Sequence, residues 1–168
     1  MVAYIKRMNV GFEGDLTREA APGDVVNEVL DNAYDWSTYG FGRPVKYTAK
    51  GKVTPLVTGD TASKIEGFLV RSFPGRAVSN TGDQAYPQIN GGAYPVARRG
   101  FMAVKLQNVS TPVKGGPVYV RIGGTTSSLL LGGIEAAADS ANTIEVPNAQ
   151  FEGPAGADGV TEISFTIL

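Results

Sequence analysis

The chain has 168 residues, of which 15 are basic and 16 acidic, so its net charge is −1. This length predicts one domain, or one domain with an arm, and 42% hydrophobic residues are enough for a core. Cysteine and histidine do not occur, which excludes zinc–thiolate sites, cysteine nucleophiles and serine–histidine triads. The balanced charge argues against nucleic acid as a partner, because nucleic-acid binders carry a basic excess. No apolar run approaches the ~18 residues of a membrane helix, so no membrane association is expected.

The first 23 residues are predicted to form an N-terminal arm. Apolar side chains recur there at even positions, as in a strand: Val2, Tyr4, Met8, Val10 and Phe12. The segment is an edge strand of the same domain, an arm that pairs with a neighbouring subunit, or a frayed end, and the sequence leaves these open. If it pairs with a partner, Tyr4, Ile5 and Arg7 are candidate interface residues.

Residues 24–36 are predicted to form a short helix. Asp24 is a suitable N-cap, and apolar residues such as Val25, Val29 and Ala33 follow at helical spacing. The alternative is an extended segment, because valine favours strands.

Turn signals and short strands alternate in the next part of the chain. Residues 49–52 have the composition of a hairpin turn that leads into residues 53–55. Residues 65–71 form an apolar run that is typical of a buried strand. Residues 74–94 are rich in Gly, Pro and Asn and predict a long loop, which is often an interaction surface.

The most regular alternation of side chains lies in the second half of the chain. Residues 101–106 and 118–122 alternate between a buried and a wet face, and the Gly/Pro turn between them predicts that the two strands pair with each other. Residues 143–146 and 160–167 predict two further strands, the last of them nearly ideal in its alternation.

These segments together define a fold class. The chain contains 22 glycines and 10 prolines, which favour many short strands joined by turns. The predicted fold is mainly β, a compact β-barrel or sandwich of about eight short strands with an extended N-terminal arm. Residues 1–23 are assigned to the arm and residues 24–168 to one β-barrel-like domain.

The order of several short motifs resembles that of the structural cement, or capsid decoration, proteins of tailed phages. The motifs are FGRPV at 41–45, IEGF at 65–68, RRGFMAV at 98–104, PVYVR at 117–121 and NAQF at 148–151, followed by an apolar last strand. The resemblance covers about residues 40–168. Gln150 stands where the family often has Arg, and the connection at 72–96 is longer than usual.

The resemblance implies a β-barrel-like decoration domain without catalytic activity. It implies binding to the major capsid protein on the outside of the expanded phage head, where the protein would stabilise the shell by bridging neighbouring capsid subunits. It also implies a homo-oligomer, with a homotrimer favoured over a homodimer. The expected location is the outer surface of the virion capsid, and the host cytoplasm during assembly.

Two carboxylate pairs are candidates for acid–base chemistry, Glu13 with Asp15 and Glu135 with Asp139. A glycosidase needs two carboxylates ~5–9.5 Å apart across a sugar, one of them with a raised pKa. Nothing in the local sequence predicts such burial, so all four are interpreted as solvated turn acids. Asp158 lies between glycines and is interpreted as a β-turn residue, because a calcium loop needs several oxygen ligands at regular spacing. No catalytic residue, metal or cofactor is predicted, and the protein is not expected to be an enzyme.

Two further features supply candidate binding residues. Arg98 and Arg99 form the most concentrated basic spot, which is either a solvated loop or a contact with acidic capsid residues, since arginine binds carboxylates with two hydrogen bonds. Aromatic residues cluster just before the first matched strand, at Tyr34, Trp36, Tyr39 and Phe41. They are either core residues or interface anchors, and Trp36 and Tyr39 are the chosen interface candidates. Glycan binding by exposed aromatics gives the alternative function, a carbohydrate-binding adhesion module displayed on a virion.

Overall fold

The computed structural model describes residues 10–71, 92–108 and 110–167. Within them the strands are β1 (Val25–Val29), β2 (Pro44–Tyr47), β3 (Val53–Pro55), β4 (Gly67–Leu69), β5 (Ala93–Ala97), β6 (Arg99–Lys105), β7 (Pro117–Arg121), β8 (Ile134–Glu135), β9 (Thr143–Phe151) and β10 (Val160–Thr166). Three short 3-10 helices accompany them, Trp36–Thr38, Ala62–Lys64 and Ser140–Asn142. The predicted mainly β fold is confirmed, with ten strands in these residues.

The strands form two antiparallel five-stranded sheets, and the chain completes the first before it begins the second. Sheet 1 has the order β1-β5-β4-β2-β3, and sheet 2 has the order β6-β10-β9-β7-β8. Each sheet is curled, because its outer strands approach each other at one bridge, Leu30 with Val53 in sheet 1 and Leu106 with Ile134 in sheet 2. Neither sheet closes into a barrel, so the architecture is a pair of packed sheets.

Sheet 1 is buried on both of its faces around β4. One face of sheet 1 contributes to the first core cluster, which also contains the inner face of sheet 2. This cluster includes Phe68, Ala97, Met102, Val104, Val118, Val120, Phe151, Ile163 and Phe165. The other face of sheet 1 covers the second core cluster, which consists of Leu30, Trp36, Tyr39, Phe41, Val45, Val53, Leu69 and Val96. The rings of Phe68 and Phe165 meet across the sheets with their centroids 4.6 Å apart.

The predicted helix at 24–36 is wrong, and the extended alternative describes most of this segment. Val25 to Val29 form β1 and lie opposite Ala97 to Ala93 of β5. The Asp24 carboxylate caps a turn instead, since it accepts a hydrogen bond of 3.2 Å from the Ala21 N–H. The β-branched valines fit a pleated surface, and pairing with β5 outweighs their helical spacing.

The prediction that β6 and β7 pair with each other is also wrong. Both strands exist in sheet 2, but β10 and β9 lie between them. β6 pairs along its whole length with β10, from Arg99 opposite Thr166 to Lys105 opposite Val160. Alternating side chains identify a strand and its buried face, but they carry no information about the neighbouring strand.

Other local predictions are confirmed. β2 and β3 form the predicted hairpin, in which the Thr48 N–H donates to the Lys52 carbonyl at 2.7 Å and Gly51 has a positive φ of 71°. The alternation in β10 is also as predicted, since Ile163 and Phe165 are buried in the first core cluster. Residues 74–91 of the predicted loop lie outside the described residues. The last two residues of the predicted loop, 93 and 94, belong to β5.

Part of the predicted arm contacts the sheets. The Gly14 N–H donates to the Ala103 carbonyl at 2.8 Å, the Ala103 N–H donates to the Asp15 carbonyl at 2.9 Å, and the Thr17 N–H donates to the Phe101 carbonyl at 3.0 Å. Residues 14–17 therefore cover the centre of the outer edge of β6. Residues 1–9, with Tyr4, Ile5 and Arg7, lie outside the described residues.

Candidate interaction surface

The outer face of sheet 2 carries three ion pairs in which the cation is the exposed partner. Arg99 lies 2.9 Å from Asp24, with side chains 55% and 14% exposed. Arg18 lies 3.5 Å from Glu162, with side chains 53% and 13% exposed. Lys114 lies 3.9 Å from Glu152, with side chains 77% and 12% exposed. This part of the sheet presents positive charge to solvent, and its three exposed cations, Arg18, Arg99 and Lys114, form the cationic face.

A shallow groove of about 430 Å³ crosses this face between β6, β10 and β9. It exists because β9 pairs with β10 only from Phe151 to Ala149, where Ala149 lies opposite Phe165. The next residue, Asn148, has a positive φ of 52° and follows Pro147, which has no N–H to continue the ladder. The two strands therefore separate, and Arg99 lies at the rim of the gap.

Hydrogen bonds hold the side chains around the groove in place. The Arg18 guanidinium stacks on the Phe101 ring at 3.5 Å from its centroid, and the Thr17 hydroxyl donates to Glu162 at 2.5 Å. The Ser164 hydroxyl donates to Glu152 at 2.6 Å, and this bond is the main reason that the pKa of Glu152 is lowered. The two carboxylates thus lie beneath the exposed cations, and the lowered pKa of Glu152 keeps that side chain an anion.

Arg98 points to the other sheet, so the two adjacent arginines do not form a single site. Its Nη2 donates to the Tyr47 hydroxyl at 2.6 Å and lies 3.5 Å from Glu28 Oε1. The Tyr47 hydroxyl in turn donates to Glu28. Burial, followed by the hydrogen bond to Glu28, raises the pKa of Tyr47. Arg98 is still 41% exposed and marks the point where the chain passes from sheet 1 to sheet 2.

Trp36 and Tyr39 lie inside the second core cluster, with exposed fractions of 0% and 4%. Their rings meet edge to face at 5.8 Å, and the Trp36 indole N–H donates to the Asp31 carbonyl at 2.8 Å. The Tyr39 hydroxyl donates to the Pro44 carbonyl, and burial raises the pKa of that hydroxyl. These placements agree with the core-packing alternative. The aromatic cluster offers no exposed stacking platform beyond Tyr34, which weakens the argument for glycan binding.

A buried ion pair was not expected from the sequence. Glu135 is 1% exposed and forms a two-point pair with Arg121, at 2.5 Å from Nε and 3.1 Å from Nη2. Gln107 and Asn108 donate to the same carboxylate at 3.1 Å and 3.2 Å. The interpretation of Glu135 as a solvated turn acid is therefore wrong. The burial of Glu135 follows from the pairing of β8 with β7, the strand that contains Arg121. The sequence does not reveal that these two strands are neighbours.

The second carboxylate of this predicted pair, Asp139, lies at the rim of the same cluster. It accepts a hydrogen bond from Arg121 Nη2 at 2.8 Å and is 45% exposed. This bond, and after it the bond from Asn142, lowers the pKa of Asp139, and the bond to Glu135 raises the pKa of Arg121. A carboxylate held as an anion by arginine is unsuited to the role of a general acid, which needs a raised pKa.

No group of three His, Cys, Asp or Glu side chains in the described residues could hold a metal ion. No helix in the same residues is long and apolar enough to span a membrane.

Two packed antiparallel sheets place the described residues in the all-β class of folds. The sequence matches the family model of the structural cement proteins (E217 gp24/Pam3 gp6) over residues 2–166, and the chain belongs to that family. The resemblance noted in the sequence is thereby confirmed, and the family is one of phage structural proteins.

The fold has a counterpart among solved structures. A chain of "The capsid of Myoviridae Phage XM1" superposes with a TM-score of 0.70 and is 22% identical. The alignment covers 98% of this chain and 95% of that chain. No curated protein sequence matches the chain.

Proposed function

We propose that the protein binds the outside of the expanded phage head and bridges neighbouring major capsid subunits. The observation that carries this proposal is the match to the structural cement family over residues 2–166. The protein is made in the host cytoplasm and is added to the outer surface of the capsid during assembly. It acts as a homo-oligomer, a homotrimer in the favoured form.

Stabilisation follows from selective binding. A ligand that binds only the expanded shell stabilises that state by RT ln(1 + [L]/Kd) for each site, about 2.7 kcal/mol when the free protein is at 100 times Kd. Several subunits held together bind several capsid sites at once, so that weak single contacts give tight total binding.

The cationic face supports the proposal as a candidate contact with the capsid. Arg18, Arg99 and Lys114 are each more than half exposed, and arginine binds planar carboxylates with two hydrogen bonds. Acidic side chains on the capsid could therefore replace or share the internal partners of these cations. Arg98 adds a fourth exposed cation at the junction of the two sheets.

The proposal is tested with expanded shells that lack this protein. Purified protein added to them is expected to bind in a saturable manner and to raise the temperature at which the shells disrupt. Unexpanded shells are the matched control, and binding to them is expected to be weaker. Failure to bind expanded shells would remove the proposed function.

A further inference from the structure

A small pocket of about 230 Å³ lies between the segment that leads into β2 and the strands β6 and β8. Two cations, Arg43 and the exposed Lys105, line this Arg43 pocket. Neither of them forms an ion pair with a residue in the described part of the chain. Among the described residues of the lining, Glu13 has the one acidic side chain, so the pocket has an excess of positive charge.

The Arg43 guanidinium is held through one of its nitrogens and has two others to offer. Nη1 donates to the Leu131 carbonyl at 3.2 Å and to the Thr38 carbonyl at 3.4 Å. Nε and Nη2 donate to no residue that the structure describes. These are the two nitrogens with which Arg121 holds the Glu135 carboxylate, and this edge of arginine binds a carboxylate with two hydrogen bonds.

Another wall of the Arg43 pocket is fixed by the Gln107 side chain. It accepts a hydrogen bond from the Leu130 N–H at 2.9 Å and donates to the Leu130 carbonyl and to Glu135, both at 3.1 Å. A site whose walls are already held costs less to fill, because fewer side chains lose freedom on binding. The volume is below the roughly 300–1,000 Å³ of small-molecule sites, so the pocket suits a single side chain.

The two sheets repeat one strand order, which shows what the turn before β2 requires. In each sheet the five strands, counted along the chain, lie in the order first, fifth, fourth, second, third. The Gly42 N–H donates to the Leu69 carbonyl at 2.8 Å in sheet 1, and the Gly115 N–H donates to the Phe151 carbonyl at 2.7 Å in sheet 2. The two glycines have positive φ values of 73° and 77°. The turn before β2 therefore matches the turn before β7.

The matching turn shows that the backbone does not need an arginine at position 43. The Leu69 N–H donates to the Arg43 carbonyl at 3.0 Å, and in sheet 2 the Phe151 N–H donates to the Gly116 carbonyl at 2.9 Å. The same turn thus forms with glycine in place of arginine. The Arg43 side chain acts outside the turn, where it reaches Leu131 of sheet 2 and lines the pocket.

We infer that an acidic side chain of a partner protein enters the Arg43 pocket and is bound by Arg43 and Lys105. The inference rests on the proposed function, in which the partner is the major capsid protein. Arg43 supplies two parallel hydrogen bonds to the incoming carboxylate, and Lys105 supplies a second positive charge at the same pocket. An aspartate or glutamate complements the charge and the size of this site.

Glu13 gives the site a competing anion. Its carbonyl accepts a hydrogen bond of 3.1 Å from Arg71 Nε, which holds this residue at the pocket. Its carboxylate forms no ion pair with a described residue. Like charges repel, so loss of the Glu13 charge is expected to favour the entry of a partner carboxylate.

Binding to expanded shells tests the pocket with matched single variants. Arg43→Gln is expected to lower the affinity by about tenfold or more, and Glu13→Gln is expected to raise it. Lys50→Gln is the control, because it removes one exposed cation outside the pocket. Equal affinities of Arg43→Gln and Lys50→Gln would overturn the inference and leave the proposed function standing.

A second measurement uses the native protein in solution and needs no shells. Glutarate is expected to shift the Arg43 Nε–H nuclear magnetic resonance signal in a saturable manner, whereas glutaramide, its neutral analogue, leaves the signal unchanged. An equal response to both compounds, or none to glutarate, would overturn the inference even if Arg43→Gln failed to fold. A saturable response to glutarate in a protein that binds no shells would support the carboxylate site and remove the proposed function.

Discussion

The Arg121 guanidinium and the Glu135 carboxylate face each other across β7 and β8 with both side chains 2% exposed. Arg121 also donates to the carbonyls of Gly123 and Gly124 at 3.0 Å and 3.3 Å. The pair therefore ties the segment after β7 to β8 and to Asp139. Buried charges of this kind are costly to isolate, because the remaining charge has lost its water.

Removal of one member of this pair should be strongly destabilising. Glu135→Gln is expected to lower the free energy of unfolding by about 3 kcal/mol, since it removes the buried anion beside Arg121 and leaves that guanidinium with only the half-exposed Asp139 as a charged partner. The double variant Arg121→Met/Glu135→Leu should lose less free energy of unfolding than the sum of the losses in Arg121→Met and Glu135→Leu. Urea unfolding of the wild type, Arg121→Met, Glu135→Leu and the double variant measures the coupling, and additive losses would show that the pair does not act as a unit.

Stability is expected to fall in acid. The pKa values of Asp139 and Glu152 are lowered in the folded chain, chiefly by hydrogen bonds from Arg121 and Ser164. Their contribution is therefore complete above the unfolded pKa values of about 4 and is lost as the pH falls through the lower folded values. The free energy of unfolding should change little from pH 7 to about 5 and decline below about 4.5. Asp139→Asn/Glu152→Gln should reduce the decline, and a stability that rises in acid would contradict this assignment.

Neutralisation of the cationic face should weaken binding to shells. Arg99→Gln/Lys114→Gln is expected to lower the affinity by about tenfold and to make it less sensitive to salt. The variant should fold normally, because exposed ion pairs contribute about 0–1 kcal/mol each. Lys50→Gln/Lys64→Gln removes two exposed cations that lie outside this face and serves as the matched control. Equal losses in both variants would show that net charge, and not this face, determines binding.

Gly14 should be intolerant of a side chain because it packs closely against Phe41 and Gly42. A Cβ there would come within 2.4 Å of the Phe41 Cβ and 3.0 Å of the Gly42 N. Gly23 has a similar positive φ, 91° against 87°, but a Cβ at that position meets nothing within 4 Å. Both substitutions to Ala place a side chain on a backbone with positive φ, which is strained. Gly14→Ala should lower the free energy of unfolding by about 1–3 kcal/mol more than Gly23→Ala, because its Cβ also clashes. Equal unfolding midpoints would mean that residue 14 is not packed as described.

The sequence predicted those parts of the fold that depend on local pattern. The alternation of β10 and the Gly51 turn are set by neighbouring residues, so both were correct. Pairing of β6 with β10 depends on residues about sixty positions apart, and no local pattern encodes it. β1 was mistaken for a helix because its helical spacing of valines is equally compatible with a strand that has a partner.

The candidate surface was predictable only in part. The basic doublet made Arg98 and Arg99 one candidate contact, and that contact stays a prediction; the separation of the two side chains follows from the change of sheet at that point. Trp36 was assigned to an interface by residue type, and its burial depends on a pocket formed by strands that come later in the chain. Glu135 was misjudged for the same reason, since its partner Arg121 is fourteen residues away.

Consecutive residues of β4 enter different cores, Phe68 the first core cluster and Leu69 the second. One peptide unit is therefore shared by two hydrophobic interiors. Because close-packed interiors transmit strain, a force that displaces one cluster is expected to reach the other through β4.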